Sequence, residues 1–151
     1  MLIVTYDPST NPLNAHEWIF PLLECIHIPA FALSVGTIAL VDVRLLGMGF
    51  REQRPAQILK DTNLFTVIGL TTVITSGLLL FSTDPLRYYY NSSFRFKMLC
   101  LLLGIIFNFT FHRSVALRAN TSTIATKLTA AVSILLWVGV VFGGLFYAFT
   151  N

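Results

Sequence analysis

Glu24 and His27 stand three residues apart in the stretch "ECIHIP", inside a long apolar segment. On a helix that spacing puts a carboxylate one turn from an imidazole on one face. An imidazole there can bind a haem iron or hydrogen-bond a quinone, and a carboxylate beside it tunes either role. The chain offers a second polar group of the same kind: Asp42 and Arg44 lie near the end of the first apolar segment, and His112 with Arg113 near the end of the third. Lys97, Leu101, Gly104, Asn108 and His112 form one stripe at helical spacing, which predicts that this face turns inward.

These residues matter because their surroundings are apolar. Of the 151 residues 55% are hydrophobic and 11% charged, and the mean hydropathy is +0.73. Such values exclude an ordinary soluble domain and fit a protein dissolved in lipid. Four segments, about 18–46, 64–82, 96–117 and 128–149, each reach the roughly 20 residues that cross a hydrocarbon core of about 30 Å. The expectation is an all-α protein, a single integral membrane domain over residues 1–151, built as an antiparallel bundle of four transmembrane helices. The first segment is too long for a signal peptide, lacks a basic region before it and has no small-residue cleavage site after it, so it is expected to persist.

Lys and Arg set the expected orientation. The first connection carries Arg44, Arg51, Arg54 and Lys60 and the third Arg113, Arg118 and Lys127, against Arg87, Arg95 and Lys97 in the middle one, seven against three. The positive-inside rule then puts the first and third connections in the cytoplasm and both termini in a bacterial periplasm. The net charge of +3 is this topology signal rather than a nucleic-acid surface. In "GFREQRPAQILKDTN" the second helix is expected to be capped by Asp61 or Thr62, and Tyr88, Tyr89 and Tyr90 fit an interfacial aromatic belt. Sequons at Asn91, Asn108 and Asn120 have no meaning in a bacterial protein. Gly139-x-x-x-Gly143, Ala32-x-x-x-Gly36 and the run Thr71, Thr72, Thr75, Ser76, Gly77 supply small faces for close packing within the chain.

A charge at mid-bilayer costs about 2.5 to 3.5 kcal/mol on insertion scales, so such groups face the bundle interior and usually have a task. By depth, Glu24, His27 and Lys97 form an outer layer in which Glu24 is expected to pair with Lys97, and Asp42, Arg44, His112 and Arg113 an inner layer. His27 sits roughly 10 Å and His112 roughly 20 Å or more below the outer boundary, which strains one haem shared between them. His16, Met48 and Met98 are the other soft donors. Glu24-x-x-His27 has the spacing of a carboxylate-bridged metal motif but occurs once, and Cys25 and Cys100 read as free thiols. A histidine bonded to a carboxylate or carbonyl is as common as a ligand, and that alternative stays open for both His27 and His112.

The stretches "FPLLECIHIPAFALSVGTIALVDVRLLGMGF" and "DPLRYYYNSSFRFKMLCLLLGIIFNFTFH" resemble a family of small bacterial four-helix inner-membrane proteins without an assigned function. The matches are Glu24, His27, Asp42, Arg44, Leu45, Leu46 and Gly47, then Arg87, Tyr88, Asn91, Lys97, Asn108 and His112. A looser architectural likeness is to copper-resistance membrane proteins and b-type membrane cytochromes.

The resulting expectation is a membrane-embedded redox subunit, an electron-transfer or accessory subunit rather than a stand-alone enzyme. It would bind haem b or a quinone and pass electrons between the membrane pool and a periplasmic partner. His27 and His112 would be haem-iron ligands or hydrogen-bond donors, Gly104 and Asn108 would line the ring, and Glu24, Lys97, Asp42 and Arg44 would hold or tune the sites. The competing reading is an anchor or assembly subunit of a larger complex, with no cofactor, whose polar residues lock the helices together; association with other membrane subunits or with further copies of the chain suits both. A copper or proton pathway would need a continuous polar track, and the gap between the layers argues against one.

Overall fold

The computed structural model describes residues 6–49, 52–119 and 123–149; Arg51 and Asn120, which entered the charge count and the sequon reading, lie outside them. Helix α1 is Ile19–Leu45, α2 Pro55–Thr83 and the short α3 Pro85–Tyr90. Helix α4 runs Ser92–Arg118 and α5 Ile124–Phe149. The four long helices are each apolar enough to cross a membrane, and the protein is an all-α antiparallel membrane bundle.

Helix α2 starts a full two turns before the expected cap. Pro55 occupies its first turn, where a missing N–H costs nothing and a fixed φ suits the helix, and Arg54 before it is extended. Lys60, Asp61 and Thr62 therefore lie within the helix, and the Thr62 hydroxyl donates back to the Ile58 carbonyl at 2.8 Å instead of capping. After α2 the turn at Asp84-Pro85 is real: Asp84 Oδ1 accepts from the Arg87 N–H at 3.2 Å, and Asn91 Oδ1 caps α4 through the Phe94 N–H at 3.1 Å. Within α4 the residues Asn108–His112 form a π-turn, closed by the Arg113 N–H on the Asn108 carbonyl.

The helices neighbour one another in a ring: α1 beside α2, α2 beside the last turns of α4, α4 beside α5, and α5 beside α1. Glycines set the closest approaches. A Cβ on Gly69 would meet the Ala30 carbonyl and Ser34 Cβ at 2.9 Å, and one on Gly143 would meet Lys97 Cβ at 2.9 Å. Gly139 lies equally close to Cys100, so the Gly139/Gly143 face packs within the chain against α4. The Ala32/Gly36 face does not pack at all. Both residues are exposed, nothing lies within 4 Å of Gly36, and the α1 face that meets Gly69 is Ala30/Ser34 instead. Ile38, Leu70, Cys100, Trp137 and Val140 fill the middle of the bundle. Val41, Leu45, Ile58, Ala116 and Ala130 fill the end at which α1 and α4 finish, called here the loop end.

At the opposite, terminal end the chain before α1 folds over α2. The Tyr6 hydroxyl and the Asn11 amide donate to the Ser82 carbonyl at 2.7 and 2.6 Å, and the Asn14 amide donates to the Thr83 carbonyl at 2.9 Å. These are carbonyls that a helix end leaves without partners. Tyr89 and Tyr90 are exposed as a belt requires, but Tyr88 is not. It is buried among Phe81, Phe94 and Tyr147, stacked on Tyr147 with ring centroids 5.0 Å apart. Burial, then the neighbouring Tyr147 hydroxyl, raises the Tyr88 pKa well above the ordinary phenol range.

This packing predicts a contrast between glycines. Gly69→Ala should destabilise the bundle by about 1–3 kcal/mol because backbone must move, while Gly36→Ala should stay within about 0.5 kcal/mol of the parent. Unfolding in mixed micelles reads both, and equal losses would contradict the α1–α2 contact.

Candidate functional site

The loop-end polar layer is built around Asp42. Its Oδ1 lies 2.7 Å from His112 Nε2, and its Oδ2 accepts the Ser133 hydroxyl at 2.8 Å. Asp42, His112 and Ser133 are all essentially inaccessible to solvent. One carboxylate thus ties α1 to α4 and α5. The π-turn carries Asn108 and His112, both buried, and ends at Arg113, whose guanidinium donates to Asn63 Oδ1 on α2 at 2.9 Å. Below the layer, Thr37 and Thr66 share a hydroxyl–hydroxyl bond of 2.8 Å that links α1 to α2. Arg44 stands apart from this core and donates to the Gln53 carbonyl at 2.6 Å. The space beside Asn108 and His112 has room for about one water molecule, and Asp42 already engages His112 Nε2.

Gly104 is also taken. Its missing side chain does accommodate a flat ring, but the ring is the indole of Trp137, 3.5 Å from where a Cβ would stand. The stripe from Lys97 to His112 faces inward, as its spacing requires, with Gly104, Asn108 and His112 buried and Lys97 and Leu101 half-buried.

The terminal-end layer is arranged differently from the expected ion pair. Among the described residues the one carboxylate contact with a basic side chain within 4 Å is Asp42 with His112, and Glu24 and Lys97 do not pair. Similar depth had suggested the pair, but depth says nothing of direction around a helix. Glu24 is exposed, in electrostatic reach of Tyr88. Lys97 lies along α5 with its Nζ 3.8 Å from where a Gly144 Cβ would stand. His27 turns to α2 instead: its Nδ1 is 2.8 Å from Ser76 Oγ, and its ring edge lies over Gly77. The Ser76 hydroxyl donates its hydrogen to the Thr72 carbonyl at 2.6 Å. Oγ therefore accepts from His27 Nδ1–H, and Nε2 is left as the lone-pair nitrogen.

At 1.5 Å per residue Asp42 lies about 22 Å beyond His27 along α1, so a single ring cannot take both histidines. The apolar cluster of Ile38, Leu70, Cys100, Trp137 and Val140 fills the interval. His16 stacks on Trp18 outside the bundle, and both cysteines are free thiols. Among the described residues no group of three His, Cys, Asp or Glu side chains converges as a metal site. Ser133 and Trp137 were not singled out by sequence reasoning, and Ser76 was read only as part of a small packing face. Their only signal is negative: each is a polar or bulky residue on a helix face shared with small neighbours.

Removing the carboxylate should be costly, and removing the pair much less so. Asp42→Leu leaves His112 and Ser133 without their acceptor and should destabilise by about 3–5 kcal/mol, whereas the Asp42→Leu, His112→Leu double variant should regain much of that loss. Additive losses in micelle unfolding would show that the two side chains act independently.

No curated protein and no solved structure matches the chain. A family model, described as a family of unknown function (DUF6644), matches residues 19–150. That match takes in both polar layers and all four long helices, and on it the chain belongs to the family of unknown function DUF6644.

Proposed function

We propose that the protein is a membrane-embedded redox subunit whose ligand, haem b or a quinone, is met by His27 in the terminal half of the bundle. The observation that carries this reading is the imidazole held through Nδ1 by Ser76, with Nε2 left as a lone-pair nitrogen. A ring whose other nitrogen is tied to an acceptor is the usual state of a ligating or accepting histidine. Haem would take Nε2 as an axial ligand, with the second position open or filled from another subunit or copy of the chain. A quinol would donate its O–H to the same nitrogen, with the Lys97 ammonium in electrostatic reach of the ring. Glu24 and Tyr88, in electrostatic reach of one another, add polar groups to the same half of the bundle. The reading gives His112 no part in holding a large ligand, because Asp42 engages its Nε2 and the space beside it has room for about one water.

The excess of Lys and Arg on the first and third connections supports an orientation with this half of the bundle on the periplasmic side of a bacterial inner membrane, where a soluble redox partner would exchange electrons with it. A cofactor-free anchor or assembly subunit is the second reading. The observation favouring it is the Asp42–His112–Ser133 contact, in which side chains of the protein join three helices directly.

The visible spectrum and the extractable quinone of protein purified from native membranes separate the two. Bound haem or quinone should be lost in His27→Ala and kept in His112→Gln if that variant folds; retention in His27→Ala, or a preparation with neither cofactor in the presence of its natural partners, would leave the anchor reading. Orientation is checked independently. A periplasm-dependent phosphatase fused after Asn151 should be active and one fused near Arg54 inactive, and the reverse pattern would put His27 on the cytoplasmic side.

A further inference from the structure

We propose that the space beneath the π-turn is a binding site for one water molecule through which the Asp42–His112 couple exchanges protons with the loop end of the bundle. The argument starts from hydrogen positions. Ionised Asp42 only accepts, and its Oδ2 already receives the Ser133 hydroxyl, so its Oδ1 receives Nε2–H from a neutral His112. Nδ1 then carries the lone pair. It is fully buried and has no partner among the described residues, and the same is true of Asn108 Oδ1 on the same π-turn. Two acceptors cannot satisfy one another, whereas a single water donates to both. Asn108 and His112 both line a space with room for about one water.

The neighbouring charges select water over an ion. Arg113 lines the same space and opposes a cation, while two acceptors and the Asp42 carboxylate oppose an anion. The groups that face the couple are Asp42 from α1 and Arg113 from α4. Helix α2 contributes Thr62, Asn63 and Thr66, and α5 contributes Ser133, none of which titrates in the physiological range. Arg113 and Asn63, joined by a contact of 2.9 Å, line the same space, and the proposed route to the loop end runs past them. The apolar cluster around Trp137 closes the other direction.

A proton reaching the water passes to Nδ1 of His112. The ring becomes an imidazolium beside ionised Asp42, and the water turns to accept from Nδ1–H while still donating to Asn108. Only a proton moves, and a buried net charge of minus one becomes a neutral ion pair. This site is independent of any ligand at His27.

The test is nitrogen NMR of the full chain, labelled at histidine, in lipid nanodiscs, with His16→Gln and His27→Gln assigning the His112 ring. The expected result is a His112 with Nε2 protonated and Nδ1 bare at neutral pH, magnetisation transfer from water to that ring, and protonation of Nδ1 on acidification. Asn108→Leu should abolish the water transfer while Nε2 keeps its bond to Asp42; if that variant does not fold, the parent spectra decide alone. A His112 ring with no contact to water, an Nδ1 bonded directly to the Asn108 amide, or signals that stay constant as the pH is lowered would each overturn the proposal.

Discussion

A carboxylate in the middle of a lipid-facing bundle has to be surrounded by donors, and Asp42 finds them on two other helices. Water competes for none of these bonds, so the helices that bring His112 and Ser133 are held in one rotation and one depth. The neighbouring contacts follow from that registration. Ala116 and Ala130 close over the same layer, and the Thr37–Thr66 bond carries the constraint to α2. The π-turn belongs to the same set. By closing its ring on the fifth residue instead of the fourth, it changes the rotation of α4 where His112 must reach α1.

The two polar layers obey different rules. At the loop end Asp42, His112 and Ser133 are buried and joined by short contacts between helices. At the terminal end Glu24 is exposed, Lys97 lies along glycines of α5, and His27 has one nitrogen tied and one free. Mid-bundle, the indole of Trp137 fills the notch at Gly104 and separates them. The buried lock around Asp42 and the more exposed layer around His27 thus fall in different halves of the molecule.

How much of this was legible in the residues depends on which physical quantity each pattern reports. Hydropathy reports thickness of apolar chain, and it placed the long helices well but misplaced the start of α2, since Lys60, Asp61 and Thr62 are polar and helical at once. Spacing reports direction on one helix, so the stripe from Lys97 to His112 was readable as an inward face. Neither reports how one helix is rotated against another. That is why Glu24 and Lys97, alike in depth, do not meet, why Ser133 is invisible until α5 is docked, and why Gly104 announced a flat ring without saying that the ring was Trp137. Tyr88 differs from Tyr89 and Tyr90 for the same reason, since only docking of α5 brings Tyr147 over it.

The bonds from Tyr6, Asn11 and Asn14 to the end of α2 bear on how the chain enters a membrane. The donors precede α1 and the acceptors end α2, so neither set is complete until both helices have been threaded in opposite directions. Residues 6–14 carry one acidic side chain and no basic one, so the segment brings little charge to the end of α2. It lies over the last turn of that helix like a latch. The first helical hairpin is thereby fastened by bonds separate from those by which α4 and α5 hold Asp42.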